Sequence, residues 1–276
     1  MPELPEVETT GRGIARQLLG QRIVKLEQHR RDLRHPLPPN LARQVEGRKL
    51  IAVDRRAKYL LLRLDDGQSI LLHLGMSGRM VISKKDDGTR DKHDHIVFIF
   101  GNGAVMRFND ARRFGMLDLV KTGEENSHKL LKHIGPEPLD KTFTAKVLAG
   151  RLMGKKVAIK LALLDQRVVA GIGNIYACEA LYDAGINPKK PAGKVSTEKL
   201  SLLVPAIKKV LNAAIKAGGS SLRDYRQASG ELGYFQTKFA VYDREGEACP
   251  RCKNCPGVQR FTQGGRSTFW CPKSQG

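Results

Sequence analysis

The apolar residues of this chain keep one rhythm up to about Val120 and another beyond residue 150, and that change restricts the fold more than any other feature. Between Ile23 and Val120 the apolar runs are short and bounded by turn formers, the pattern of strands buried on both faces as in a β-sandwich. Leu60–Leu64 and Ile70–Leu74 flank Asp65-Asp66-Gly67, and Ile96–Phe100 and Val105–Phe108 flank Gly101-Asn102-Gly103, so each pair reads as a hairpin. Ahead of the strands, Val7, Ile14 and Leu18 share one face of a helix whose first turns carry Glu3, Glu6 and Glu8 and which Gly20 ends. Beyond residue 150 the period is helical: Val157–Leu164, then Asn174–Ala184 after the tight Gly171-Ile172-Gly173, then Leu200–Ala217. Pro205 inside the last stripe predicts a kink or a start nearer Leu203. The expected class is α+β in two domains. Residues 1–130 form a β-sandwich flanked by helices, 131–150 a linker containing Pro136 and Pro138, 151–238 a helical domain, and 239–276 a metal-stapled β-hairpin. Gly218–Lys238 is Gly/Ser-rich with aromatics, the composition of a long functional loop.

Charge narrows the partner. Over 276 residues, 48 Lys+Arg against 28 Asp+Glu leave a formal charge of +20, more than solubility requires, so a polyanion and first of all nucleic acid is expected. No run approaches the roughly 20 apolar residues that span a bilayer, and the acidic start Met1–Glu6 lacks the apolar stretch of a secretory signal. A soluble protein of the cytoplasm, with no membrane partner, is the expectation.

Four of the five cysteines, Cys249, Cys252, Cys255 and Cys271, fall within the tail, while Cys178 stands in an apolar helical stretch as a small buried hydrophobe. Without an export signal, metal ligation is a better reading than disulfides, and one structural Zn2+ suits a hairpin too small to fold on its own core. Reduced cysteines without metal are the alternative. Ser274 stands where a closing Cys-x2-Cys would end, and serine is a poor zinc ligand, so Cys255 completes the expected set Cys249, Cys252, Cys255 and Cys271. The turn Gly264–Thr268 presents Arg266 at the hairpin tip, placed to enter a nucleic-acid groove.

Three further stretches carry chemistry. Gly171-Ile172-Gly173-Asn174 opens a helix whose N–H groups can hold phosphate, with Lys155, Lys156 and Lys160 just upstream; close helix packing is the plainer reading of its glycines. Asp110–Gly115 sets Arg112 and Arg113 beside Phe114, the makings of an intercalating wedge, or else a surface loop anchored by its phenylalanine. At the N-terminus, removal of Met1 would leave Pro2 a secondary amine titrating near 8, a nucleophile at neutral pH, with Glu3 beside it to move protons. Taken alone, those residues read first as helix punctuation.

Together these residues resemble the bacterial formamidopyrimidine-DNA glycosylase family. The matches are Met1–Thr9, Lys58 in Arg-Ala-Lys-Tyr-Leu, Leu74–Arg79, His93-Asp94-His95, Arg112–Gly115, Gly171–Tyr176 and Gly265–Thr268, in family order along the whole chain. The resemblance implies a helix-two-turn-helix in the helical domain. It implies a bifunctional enzyme that removes oxidised purines such as 8-oxoguanine and formamidopyrimidines from duplex DNA and cleaves the strand by β,δ-elimination. By the same resemblance Pro2 attacks the sugar C1′, Glu3 is the general acid, Glu6 is a supporting carboxylate, Lys58 assists β-elimination and Arg266 grips phosphate and serves δ-elimination. His93, Arg112, Lys156, Lys160 and Asn174 are implied DNA contacts, and Met76, Arg112 and Phe114 the trio that fills the gap left by the flipped base. The Gly218–Lys238 loop is implied to close over that base. Damaged double-stranded DNA is the implied partner of a monomer in the bacterial nucleoid, with no small-molecule cofactor. Ser274 and a Cys252–Cys271 spacing two residues longer depart from the family pattern. The competing readings are an oxidised-pyrimidine glycosylase and a non-catalytic zinc-containing DNA-binding protein.

Overall fold

A computed structural model describes residues 1–220 and 233–276. They group into two compact units, Met1–Lys132 with Ala217–Tyr234, and His133–Lys216 with Phe235–Gly276.

The first unit opens with α1 (Leu4–Leu18), whose buried face of Leu4, Val7, Ile14 and Leu18 matches the expected stripe. Its start is a reciprocal capping box: the Glu3 carboxylate accepts from the Glu6 amide, and Glu6 accepts from the Glu3 amide at 2.9 Å. Then come β1 (Ile23–Gln28), the short α2 (Leu41–Val45), β2 (Leu50–Arg56), β3 (Tyr59–Leu64), β4 (Gln68–His73), β5 (Arg79–Ser83), β6 (Asp94–Phe100), β7 (Val105–Asn109) and β8 (Met116–Lys121). They make two antiparallel four-stranded sheets, ordered β1-β6-β7-β5 and β2-β3-β4-β8. Both hairpins expected from the turn residues are present, β3 with β4 and β6 with β7. One core of apolar side chains from both sheets and from α1 holds the sandwich together and takes alternate residues of each run, such as Leu60, Leu62 and Leu64. The runs are continuous because the residues between, such as Leu61, Leu71 and Val97, are buried as well, outside that core.

The second unit contains α3 (Ala145–Leu152), α4 (Ile159–Leu164), α5 (Asn174–Asp183), α6 (Thr197–Lys216) and a hairpin of β9 (Gln259–Gln263) and β10 (Arg266–Trp270). Helix α3 lies mostly within the stretch expected as linker, and two helix starts differ from expectation. The first turn expected at Val157 is extended, because Ala158 pairs with Pro191 as an isolated bridge and caps α4 instead. Helix α6 starts at Thr197 and runs through Pro205. Pro205 and Ser201 are both exposed, so the Ser201 carbonyl that proline leaves without its i+4 donor lies on the solvent side of the helix rather than in the core. The hairpin turn is Gly264-Gly265, both at positive φ (56° and 70°), as a two-residue turn matched to strand twist requires.

Candidate active site and metal centre

The N-terminus of α1 is buried. Pro2 has little exposure, Glu3 is 3% and Glu6 2% exposed, and Met1 stands out at 47%. Lys58, 7% exposed, sits in the two-residue turn between β2 and β3. That turn is tied to α1 by Arg55, which donates to Glu8 at 2.9 Å and to the Ala57 carbonyl at 3.0 Å. The Glu6 carboxylate also accepts the Ser220 amide at 2.8 Å, so the base of the loop expected to close over a ligand hangs on the same helix. The base is closed by a bridge between Ser220 and Tyr234, while the middle of the Gly218–Lys238 loop lies outside the described residues.

His73 is a further candidate for the site, one that no motif in the sequence singles out. It stacks against Tyr59 at 4.7 Å between ring centroids and accepts the Gly75 amide on Nδ1. Burial, with the positive charges of Lys58 and Arg34, pulls its pKa down to about 4, so it is a neutral imidazole at pH 7. Adjacency to Tyr59 across β3 and β4 was the available signal.

The residues expected to form a wedge lie on two neighbouring loops of the same unit. Met76 (38% exposed) follows β4 and Phe114 (41% exposed) follows β7, with the Arg112 guanidinium 5.0 Å from the Phe114 ring centre. Phe114 therefore does not anchor the core, which removes the plainer reading of that loop. His93 is partly exposed just before β6, its ring 6.4 Å from that of buried His95.

In the second unit α4 and α5 are joined by two successive turns. Gln166 brackets the second, accepting from the Gly171 amide at 2.7 Å and donating to the Ile172 carbonyl at 2.9 Å. Lys156 is exposed and Lys160 fully buried. Asn174, at the first position of α5, donates to the Ser267 carbonyl at 2.9 Å and so holds the hairpin tip beside the helix start, with Arg266 exposed next to it. Further along α5, the buried carboxylate of Glu179 accepts the amides of Ala240, Val241 and Tyr242 at 2.8 to 2.9 Å. Burial raises its pKa, and those three donors act against the shift. One helix turn later the Tyr182 hydroxyl lies 3.3 Å from Cys249 Sγ, and Arg251 donates to the Asp183 carboxylate at 2.6 Å. The hairpin is thus clamped along the whole length of α5.

The sulfur atoms of Cys249, Cys252, Cys255 and Cys271 all lie within 4.8 Å of one another, with Cys252–Cys271 at 3.4 Å and Cys271–Cys255 at 3.9 Å. Four thiolates at about 2.3 Å from one tetrahedral zinc would stand about 3.8 Å apart, so this donor set fits. Ser274 Oγ lies 3.8 Å from Cys249 Sγ, at the edge of the cluster. Burial pushes the Cys249 thiol up, but hydrogen bonds from Tyr182 and from the Arg251 and Cys252 amides outweigh it and bring the pKa to about 6.

A two-sheet sandwich opening on a capped helix, followed by a helix-two-turn-helix and a four-cysteine hairpin, defines a DNA repair glycosylase architecture. Residues 1–117 match the formamidopyrimidine-DNA glycosylase N-terminal domain and residues 134–226 the formamidopyrimidine-DNA glycosylase H2TH domain. The chain is 54% identical to a formamidopyrimidine-DNA glycosylase of Paracoccus denitrificans and 52% identical to one of Rhodopseudomonas palustris, in each case over the full length of both chains. The crystal structure of the MutM (Fpg) protein from Thermus thermophilus is similar at a TM-score of 0.88 and 39% identity, covering 99% of this chain and 98% of that one. A Lactococcus lactis Fpg mutant in complex with Fapy-dG-containing DNA gives 0.90 and 36%, covering 99% of each chain. The chain belongs to the formamidopyrimidine-DNA glycosylase family.

Proposed function

We propose that this protein excises oxidised purines, 8-oxoguanine and formamidopyrimidines, from duplex DNA through a Schiff base on Pro2, and then cleaves the strand. The observation that carries the reading is the burial of three ionisable side chains, Glu3, Glu6 and Lys58, in the unit that buries Pro2. Ionisable groups are costly to bury, and one capping box does not call for a buried lysine in the turn tied to the same helix. Once Met1 is removed, the Pro2 nitrogen attacks C1′, the bond from C1′ to the base breaks, and the departing purine takes a proton with Glu3 as general acid. The C1′–O4′ bond then opens, O4′ taking a proton as the Pro2 nitrogen gives up its own, and the ring-opened iminium acidifies the C2′ proton. Its loss breaks the C3′–O bond with Lys58 assisting, and a second elimination breaks the C5′–O bond with Arg266 on the phosphate. No redox step is needed.

The base must leave the stack before C1′ can be reached, and unstacking costs a few kcal/mol. Met76, Arg112 and Phe114 fill the gap, while His93, Lys156 and Asn174 hold the backbone and offset that cost; Lys160, expected as a further phosphate contact, is fully buried and as placed does not reach the DNA. Glu6 couples the base of the Gly218–Lys238 loop to the helix that carries the nucleophile. A Zn2+ bound by Cys249, Cys252, Cys255 and Cys271 supplies structure, keeping Arg266 in place. The Lactococcus protein's complex with Fapy-dG-containing DNA supports the choice of purines. Damaged duplex DNA is then the partner, met by a monomer in the bacterial nucleoid.

Borohydride trapping on a duplex carrying 8-oxoguanine tests the reading. Wild-type protein lacking Met1 should form a covalent adduct, and Pro2→Gly should lose it, with excision down at least about a hundredfold and duplex binding nearly intact. Full activity in Pro2→Gly would move the nucleophile to another amine, Lys58 first. Faster cleavage of an oxidised-thymine duplex would favour a pyrimidine enzyme, and no adduct at all a binding protein.

A further inference from the structure

Asp110 is fully buried, yet it plays no part in the chemistry described above. Its carboxylate lies between the two wedge loops. Oδ1 accepts from the Ser77 hydroxyl at 2.6 Å and from the Arg112 amide at 3.3 Å, and Oδ2 accepts from the Gly115 amide at 2.7 Å. Ser77 Oγ in turn accepts the Arg112 amide at 3.2 Å. The Asp110 backbone is held as firmly: its amide donates to the His93 carbonyl at 3.0 Å, and its carbonyl meets His95 Nε2 at 2.8 Å and the Arg113 amide at 3.2 Å.

Every one of these partners belongs to, or adjoins, a segment that carries a proposed DNA contact. Ser77 follows Met76, Arg112 and Gly115 enclose Phe114, and His93 precedes β6. Arg113 is kept at φ 57°, a left-handed conformation that a non-glycine residue adopts at some cost. The two loops also touch directly at Gly75, where any Cβ would come within 2.4 Å of the Phe114 backbone. An ionised carboxylate offers acceptors on both oxygens and no donor, which matches three converging donors as no other side chain of that size does.

We infer that Asp110 is the positioning residue of the wedge: it locks the loops of Met76 and of Arg112 and Phe114 into one body, so that the three side chains enter the helix together when the base leaves. The inference rests on the proposed base-extruding activity. Rigid support matters because a wedge that yields cannot hold open a gap the DNA tends to close.

Asp110→Asn tests this. The amide must set its NH2 either against the Gly115 amide or against the Arg112 amide and Ser77, so one donor always faces another. Excision of 8-oxoguanine from a duplex should fall about tenfold or more. Cleavage of a preformed abasic site in single-stranded DNA, where no base is extruded and no stack is restored, should stay within about twofold of wild type. Ser77→Ala should show the same selectivity with a smaller loss. Equal falls on both substrates would mean that Asp110 merely supports the fold, and an unchanged duplex rate would mean that the wedge needs no brace; either overturns the inference. Wild-type protein that cleaves the abasic strand but excises nothing would overturn the proposed function, and this inference with it.

Discussion

At the scale of single residues, His73 shows how environment sets chemistry. Its pKa is pulled down to about 4 by burial and by Lys58 and Arg34, whereas an unfolded histidine titrates near 6.5. Below pH 6.5 the unfolded chain therefore binds a proton that the folded chain refuses. Stability should fall as pH drops from about 6.5 towards 4, by at most about 1.4 kcal/mol per pH unit, and be fully present above that window. Thermal melts at pH 5 and pH 7.5 check it: His73→Gln should narrow the difference between them, and an equally steep loss in that variant would remove His73 as its source. The sequence could not show this residue, because a lone histidine at a strand end has no spacing signal. Pro2 and Glu3 could be read as a nucleophile and a proton carrier from their own chemistry, with helix punctuation the first reading, and only resemblance brought in Lys58. Asp110 was read as part of a wedge motif, and its buried bracing of two loops became visible only once β4 and β7 were placed.

At the scale of elements, the sandwich strands and both hairpins were legible because each apolar run met its own turn formers. Helix starts were less so. Whether a segment such as Val157-Ala158 continues a helix depends on a partner over thirty residues away, here Pro191. The clustering of the four tail cysteines was legible from their spacing, and the proposed ligand set makes a specific prediction. Cys255→Ser should bind well under one equivalent of zinc in chelator titration, and Co2+ substitution should lose four-thiolate absorption. Adding Ser274→Cys should restore both, since the Ser274 oxygen already lies 3.8 Å from Cys249 Sγ. Undiminished zinc in Cys255→Ser would take Cys255 out of the ligand set. With the metal gone, Tyr182, Glu179 and Asn174 still tether the hairpin to α5, so its loss should loosen the tip rather than unfold the helices.

At the scale of the molecule, the charge of +20 implies a binding constant that falls steeply with salt. Arg266→Ala should reduce the slope of log K against log salt by about one, the signature of one lost phosphate contact. Fluorescence anisotropy between 50 and 200 mM salt, a range over which such a slope is easily read, measures it. An unchanged slope would argue that Arg266 acts elsewhere than on the backbone. The total charge was legible from composition and Arg266 at the hairpin tip from its glycines, but the contrast between an exposed Lys156 and a buried Lys160 was not, because burial is a property of packing.

The first unit is not one stretch of chain: Ala217–Tyr234 returns to it after the whole of α3 to α6 has been made. A nascent polypeptide leaving the ribosome has all eight strands of the sandwich long before Ser220 arrives to donate to Glu6. Domains fold as they emerge, N-terminal first, so the sandwich can form while its helix α1 still lacks that partner. The end of the protein that carries the proposed nucleophile is thus translated first and completed late, and a chain released early would carry Pro2 and Glu6 without the Ser220 amide that Glu6 accepts.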